Sequence, residues 1–273
     1  MPLADALRVA VLGAGGRMGR TVCAAVASSP DLKLVAAIDP MASGVELTFG
    51  DGVETIVIGS DLDALTATST QVAIDFTAPR AAAANLAWLA ANDIHAVCGT
   101  TGLSDSEISE LQIAFSRSDG PNAILASNFA ISAVLMIRLA AIAAPFFDNI
   151  EIVELHHENK VDAPSGTAVA TAAAIDEARR AAGPGALGAD PTTTETMPGA
   201  RGARSLGGVQ LHSVRLAGLV AHQEVLLGTT GQSLIIRQDS YDRSSFIPGV
   251  LLATRKVAST PGFTRGLEAL LGL

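Results

Sequence analysis

The first half of the chain alternates short, branched-apolar runs with longer helical stretches. Arg8–Leu12 (RVAVL) reads as a strand, followed by a Gly-rich turn and a helix from about Met18 to Ala27. Leu34–Ile38 is a second strand, ending at Asp39-Pro40, and Val72–Phe76 (VAIDF) a third. An Ala-rich helix follows over about Arg80–Asn92, with Pro79 at its start. His95–Cys98 is a fourth strand that ends in Gly99-Thr100-Thr101-Gly102, and Ala123–Ala126 is a fifth. Between them, Ser104 with Glu107 spells a capping box at the start of a helix. Apolar strands alternating with helices predict an α/β, doubly wound parallel sheet.

The second half has a different rhythm. Ile150–Leu155 reads as a strand, then comes a polar segment and a helix over about Ala168–Ala182. Residues 183–207, rich in Gly, Pro and Thr, read as a long loop. Three β-like runs follow at Val209–Leu216, Gln223–Gly228 and Ser233–Gln238, which together predict an α+β second domain. The tail from Phe246 returns to helix.

Composition narrows the function classes. Apolar residues make up 49% of the 273, enough for a full core, while only 16% are charged, so extensive surface is expected to be buried between domains or subunits. Eighteen Lys and Arg against 27 Asp and Glu give −9, which argues against nucleic acid and anionic membranes as partners. An anionic ligand therefore needs a local site. Cys23 and Cys98 lack CxxC spacing and fit a reducing cytosol. The opening stretch lacks a basic region followed by a long apolar one, so no signal peptide is expected. The most membrane-like stretch, Ala130–Phe147, is interrupted by Arg138 and Pro145. A soluble cytoplasmic protein is expected.

Three turns carry candidate chemistry. Gly13-Ala14-Gly15-Gly16-Arg17-Met18-Gly19 follows a strand and opens a helix, where backbone amides face a pyrophosphate. The literal GxGxxG pattern fails at Met18, and the spacing that fits is Gly13, Gly16 and Gly19. Asp39, 20 residues beyond Gly19, stands where an acidic residue reaches a cofactor ribose. Its charge favours NADH, Arg17 offers a partner to the extra phosphate of NADPH, and Pro40 adds no cation. Both cofactors are expected, with NADH modestly favoured. Gly99, Thr100 and Thr101, and the Ala126-Ser127-Asn128-Phe129 turn, lie beyond strand ends and should border the cofactor. Arg243 and Phe246 are further candidates for that contact.

The densest polar cluster is His156-His157-Glu158-Asn159-Lys160-Val161-Asp162-Ala163-Pro164-Ser165-Gly166-Thr167. If the strand continues, the two histidines point to opposite faces, and no HExxH or nearby cysteine completes a site, so no metal is expected. A His and a Lys beside an anionic substrate serve as proton donors. Ser165-Gly166-Thr167 precedes a helix whose free amides suit a carboxylate. Trp88, His95, His212 and His222 carry no spacing signal and read as structural.

Taken together, GAGGRMG, GTTG, the Asn-Phe turn and ELHHENKVDAPSGTA resemble the dihydrodipicolinate reductase family over essentially the whole chain. The resemblance implies a Rossmann-like dinucleotide-binding domain over 1–130, completed by 241–273, and an inserted substrate-binding and tetramerisation domain over 131–240. It implies hydride transfer from NADH or NADPH to a cyclic, unsaturated dicarboxylate, with loss of water, in a homotetramer on the lysine and diaminopimelate route. His156 falls on the general acid, and Lys160 on a second proton donor or cationic stabiliser. His157, Ser165, Gly166 and Thr167 fall on substrate positions; Gly13–Met18, Asp39, Gly99–Thr101 and Ala126–Phe129 fall on cofactor positions. Ser132 replaces a glycine common in the family. Another Rossmann-type amino-acid dehydrogenase, of the aspartate or homoserine kind, shares the glycine turn but has no need of HHENKVDAPSGT. A non-enzymatic dinucleotide sensor would keep Gly13–Gly19 and Asp39 and have no need of His156 or Lys160.

Overall fold

The computed structural model of the chain describes residues 6–50, 52 and 54–272. Met1–Asp5, the start of the stretch expected to lack a leader, lie outside the described residues. Two compact units form: one ends at Phe129 and resumes at Phe246, the other is Ala130–Ser245. The boundaries expected at 130/131 and 240/241 thus fall at 129/130 and 245/246, which puts Arg243 in the second unit and Phe246 in the first.

In the first unit β1 (Leu7–Leu12), α1 (Arg17–Ala27) and β2 (Leu32–Ile38) open the chain. A hairpin of β3 (Glu46–Phe49) and β4 (Glu54–Val57), and the short α2 (Asp63–Ala67), follow. Neither was anticipated, because these runs of four or five residues mix polar and apolar positions and are too short to show a period. Then come β5 (Val72–Asp75), α3 (Pro79–Ala91), β6 (His95–Cys98), α4 (Asp105–Ala114) and β7 (Ala123–Leu125). The capping box is present: the Ser104 hydroxyl accepts from the Glu107 amide, and the Glu107 carboxylate from the Ser104 amide.

The strands β7, β6, β5, β1 and β2 lie in that order, all parallel. After the helix Ile247–Lys256, a strand the sequence did not announce, Phe263–Arg265, adds a sixth parallel member beside β7. Burial on both faces explains the unbroken apolar runs. Val9, Ala10, Val11, Val72, Ala73 and Ile74 are wholly buried. Leu86 and Leu89 of α3 pack with Leu12, Leu65, Ile94 and Phe115, and Trp88 lies against the same cluster, half buried. The chain runs from β1 to β2 on one side and crosses to β5 on the other. The carboxyl ends of β1 and β5 therefore flank the switch point, where ligands of such sheets bind.

In the second unit α5 (Ile131–Ala143) precedes β8 (Asn149–His156), α6 (Gly166–Ala182), β9 (Ala203–Arg204), β10 (Gln210–Arg215), β11 (Ala221–Thr229) and β12 (Gln232–Ser240). Ala130–Phe147 is thus a 13-residue helix and a turn broken at Pro145. Among the described residues no helix is long and apolar enough to cross a membrane. The sheet order is β12-β11-β8-β10-β9, antiparallel except for the parallel pair β10–β8. Its helix-covered face buries Ile150, Ile152, Leu211, Val225 and Leu227 against Met136, Ala140 and Ile175. The loop 183–207 is tied to the sheet by Arg201, which donates to Glu151 at 2.7 Å and to Asp190 at 3.0 Å.

Candidate active site

The glycine turn is held mainly by backbone. The Gly13 and Ala14 amides donate to the Ile38 carbonyl at 2.8 and 3.2 Å, docking the turn on the end of β2. Gly13 has φ +78°, which a side chain rarely adopts. A Cβ at Gly19 would lie 2.0 Å from the Gly13 carbonyl oxygen, so only glycine lets α1 approach β1 this closely. The first helical bond runs from the Arg20 amide to Gly16, leaving the amides of Arg17, Met18 and Gly19 ahead of it. The Asp39 carboxylate accepts from the Gly15 amide and the Met41 amide, each at 3.0 Å, and so is fixed beside the turn. Arg17 is exposed. The glycine cradle, the free helix amides and a carboxylate beside them fit a dinucleotide.

The GTTG turn is held by a carboxylate that sequence reasoning passed over. Asp75, at the end of β5, is 1% exposed and accepts from the Thr77 amide (2.9 Å) and hydroxyl (2.7 Å), Asn85 (2.7 Å) and the Thr100 hydroxyl (3.2 Å). It thereby joins the ends of β5 and β6 to α3. Its only sequence signal was a charge inside an apolar strand. Thr100 is buried and Thr101 exposed. The Ala126 amide donates to the Cys98 carbonyl at 3.0 Å, bringing Ala126–Phe129 beside Gly99–Thr101. Ser127 is exposed, Asn128 half buried, and the Phe129 ring packs on Phe76 with centroids 5.8 Å apart. A cavity of about 400 Å³ opens there, lined by Thr100, Thr101, Leu125, Ser127, Arg265 and Glu268.

In the second unit the polar cluster is built on β8. Ile150, Ile152, Glu154 and His156 alternate onto the helix-covered face, so the last two positions of an apolar stripe are ionisable. Glu154 is wholly buried. Its carboxylate accepts from Arg215 at 2.9 and 3.0 Å, from the Ser165 amide at 3.2 Å and from His156 Nδ1. Burial pushes the Glu154 pKa up, but the bonds from Arg215, Ser213 and His156 outweigh it and hold the group below the usual carboxylate range. His156 is lowered by burial first; Glu154 pulls it back up, while Lys160 and Arg215 push it down. Lys160 donates to both Asp162 oxygens, at 2.7 and 3.0 Å, and Arg215 reaches the Asp162 carbonyl at 2.6 Å.

Ser165 is the N-cap of α6: its hydroxyl accepts from the Ala168 amide at 3.2 Å, with Gly166 and Thr167 in the first turn. His156, Lys160 and Ser165 are thus brought together through Glu154, Arg215 and Asp162. His157 is exposed, just past the end of the strand. Arg243 and Phe246 stand at the two ends of one short 3₁₀ turn, the first exposed and the second half buried. Ser132 donates to Gln238 at 3.2 Å. The histidines read as structural each have a partner: His95 accepts from the Asn122 amide, His212 pairs with Glu151 and His222 with Asp239. Sequence reasoning missed Glu154 and Arg215. Period-two counting from Ile150 would have flagged Glu154; nothing in the sequence marks Arg215.

A parallel sheet with a glycine cradle, joined to a unit that presents an imidazole and an ammonium, defines a dinucleotide-binding oxidoreductase scaffold. Family models described as dihydrodipicolinate reductase, N-terminus and C-terminus, match residues 7–129 and 132–271. The 4-hydroxy-tetrahydrodipicolinate reductase of Nocardia farcinica is 49% identical over 267 residues, covering 98% of this chain and 99% of that one. That of Corynebacterium aurimucosum is 49% identical over 268 residues, with the same coverage. A solved dihydrodipicolinate reductase from Paenisporosarcina sp. TG-14, with dipicolinate bound, superposes with a TM-score of 0.84 at 36% identity, covering 97% of this chain and 99% of that one. The chain belongs to the dihydrodipicolinate reductase family.

Proposed function

We propose that this chain reduces 4-hydroxy-tetrahydrodipicolinate to tetrahydrodipicolinate on the lysine and diaminopimelate route, using NADH or NADPH. The observation that carries this reading is the cluster of His156, Lys160 and the α6 amides, in a chain whose whole length belongs to the family. Loss of water gives a conjugated ring dicarboxylate, and one hydride plus one proton then saturates a double bond. The nicotinamide, when bound, supplies the hydride. His156 supplies the proton, and Lys160 holds or shares that role. His157, Ser165, Gly166 and Thr167 receive the carboxylates, helped by the positive end of α6. That local positive site answers the overall charge of −9. Dipicolinate bound to the Paenisporosarcina protein supports a flat dicarboxylate as ligand.

Gly13–Met18, Asp39, Gly99–Thr101, Ala126–Phe129, Arg243 and Phe246 receive the dinucleotide, with NADH modestly favoured because Asp39 puts a negative charge beside the glycine turn. The chain works as a cytoplasmic homotetramer. Support for a reducing compartment comes from Cys23 and Cys98, both buried, free and pushed up to about 12 by burial. Support for assembly comes from the face of the second sheet opposite the helices, where the cross-strand pair Leu226–Ile235 leaves Ile235 57% exposed. A coupled assay tests the activity: dihydrodipicolinate synthase makes the substrate and NAD(P)H absorbance is followed. Oxidation well above background is expected; none removes the assignment. Light scattering at micromolar concentration should report four copies.

A further inference from the structure

We infer that Glu154 is the positioning residue of this site: it fixes which nitrogen of His156 carries the transferable proton and ties that ring to the amide end of α6. The inference rests on the reading of His156 as proton donor. A carboxylate can only accept, so His156 Nδ1–H donates to Glu154 and Nε2 is left to exchange the proton. As hydride reaches the substrate, the Nε2–H bond of the imidazolium breaks, the proton goes to the substrate, and the ring is left neutral with Nδ1–H retained. The same buried carboxylate accepts from the Ser165 amide, so one side chain sets the spacing between proton donor and carboxylate-binding amides. Arg215, donating twice to Glu154, keeps it ionised and joins it to the Lys160–Asp162 loop. The charged groups facing His156 are Glu154 on β8, Arg215 on β10, and Lys160 with Asp162 on the following loop. Ala221, opposite on β11, carries none. Of these only Glu154 holds the ring directly and favours its protonated form, against burial, Lys160 and Arg215.

Glu154→Gln keeps the shape and removes the charge. It should lower kcat by about 10²-fold, with NADH affinity unchanged, and cost little more when His156 is already Gln. Since the acid must be protonated, activity falls as pH rises through the His156 pKa, and that fall should move to lower pH in Glu154→Gln. Losses that simply add in Glu154→Gln/His156→Gln would leave Glu154 a structural residue and sink the inference. Independently of turnover, ¹⁵N-histidine spectra, assigned with His156→Gln, should show neutral His156 protonated on Nδ1 in the wild type, and a lower pKa in Glu154→Gln. An unchanged tautomer balance and pKa would overturn the inference. Should Glu154→Gln fail to fold, Glu154→Gln/Arg215→Met removes both halves of the buried pair and takes the same spectra. A wild type with no reductase activity defeats the proposed function, and the spectra then still decide the role of Glu154.

Discussion

The two units build their candidate sites from different materials. In the first, the ligand-facing surface is mostly backbone: a glycine turn hung on the Ile38 carbonyl, the amides of α1, and a GTTG turn anchored by Asp75. In the second it is a side-chain charge network, with Glu154 at its centre and Arg215, His156, Lys160 and Asp162 around it. Backbone groups keep their partial charges at any pH and tolerate changes of side chain, provided no atom fills the cradle. Charged side chains can be tuned and can deliver protons, but each depends on the protonation and placement of its neighbours. A nucleotide site wants the first property and a proton-transfer site the second.

The sharpest way to separate them is to remove the proton donor alone. His156→Gln should lower kcat about 10²- to 10⁴-fold while NADH affinity, read by fluorescence, stays within a few-fold of wild type. A kcat near wild type takes His156 out of the mechanism. The converse change is Gly19→Ala. Its Cβ would meet the Gly13 carbonyl oxygen at 2.0 Å, so α1 must shift. A cost of about 1–3 kcal/mol is expected, and it should weaken dinucleotide binding roughly 5- to 150-fold with the His156 titration unmoved. If Gly19→Ala binds the cofactor normally, the cradle is looser than its geometry says.

Acid should distinguish the units next. In the second unit Glu151, Glu154, Asp162 and Asp239 are held below the usual carboxylate range and Asp190 is lowered to about 2. In the first, Asp31, exposed, and Glu107, half buried, are the corresponding cases. A carboxylate with a depressed folded pKa contributes stability that is present above its unfolded value, about 4, and lost as pH falls through the folded one. His95 and His156 are both lowered, one in each unit, so they do not separate the two. Between about pH 4 and 2, hydrogen exchange should open β8, β10 and β11 before β1, β5 and β6. The reverse order would show that the charge network is not what secures the second sheet.

The smallest effect expected is in cofactor choice. Asp39→Ala removes a negative charge beside the glycine turn and two acceptors for the Gly15 and Met41 amides. The ratio of kcat/KM for NADH over NADPH should fall by a few-fold to about tenfold, and Arg17→Ala should raise it. A strong wild-type preference for NADPH would show that Arg17 outweighs Asp39.

How much of this was legible in the sequence follows from the same contrast. The strands of the first unit, His95–Cys98 to the residue, and the Ser104–Glu107 box were readable because local rules fix them: two-sided burial makes apolar runs, and a cap needs a residue pair three apart. The β3–β4 hairpin and the strand Phe263–Arg265 were not, since one is made of two four-residue runs of mixed polarity and the other is three residues long and gains its partner 140 positions away, at Ala123. Burial of Trp88 against the helix cluster and the partnering of three histidines agreed with their bland reading.

For the sites, the chain alone determined the glycine spacing, the acidic residue after β2 and the dense run from His156 to Thr167. These are contiguous in sequence, because a strand followed by a turn and a helix N-terminus is a local object. What the tertiary structure decided is which groups serve those residues. Arg215 meets Glu154 from 61 positions away because β10 lies parallel to β8, and Thr100 meets Asp75 because β6 lies beside β5. Strand order is set by packing of whole layers and not by any short run of residues, so a buried ion pair across strands leaves its two members looking, in sequence, like unrelated charges in apolar strands.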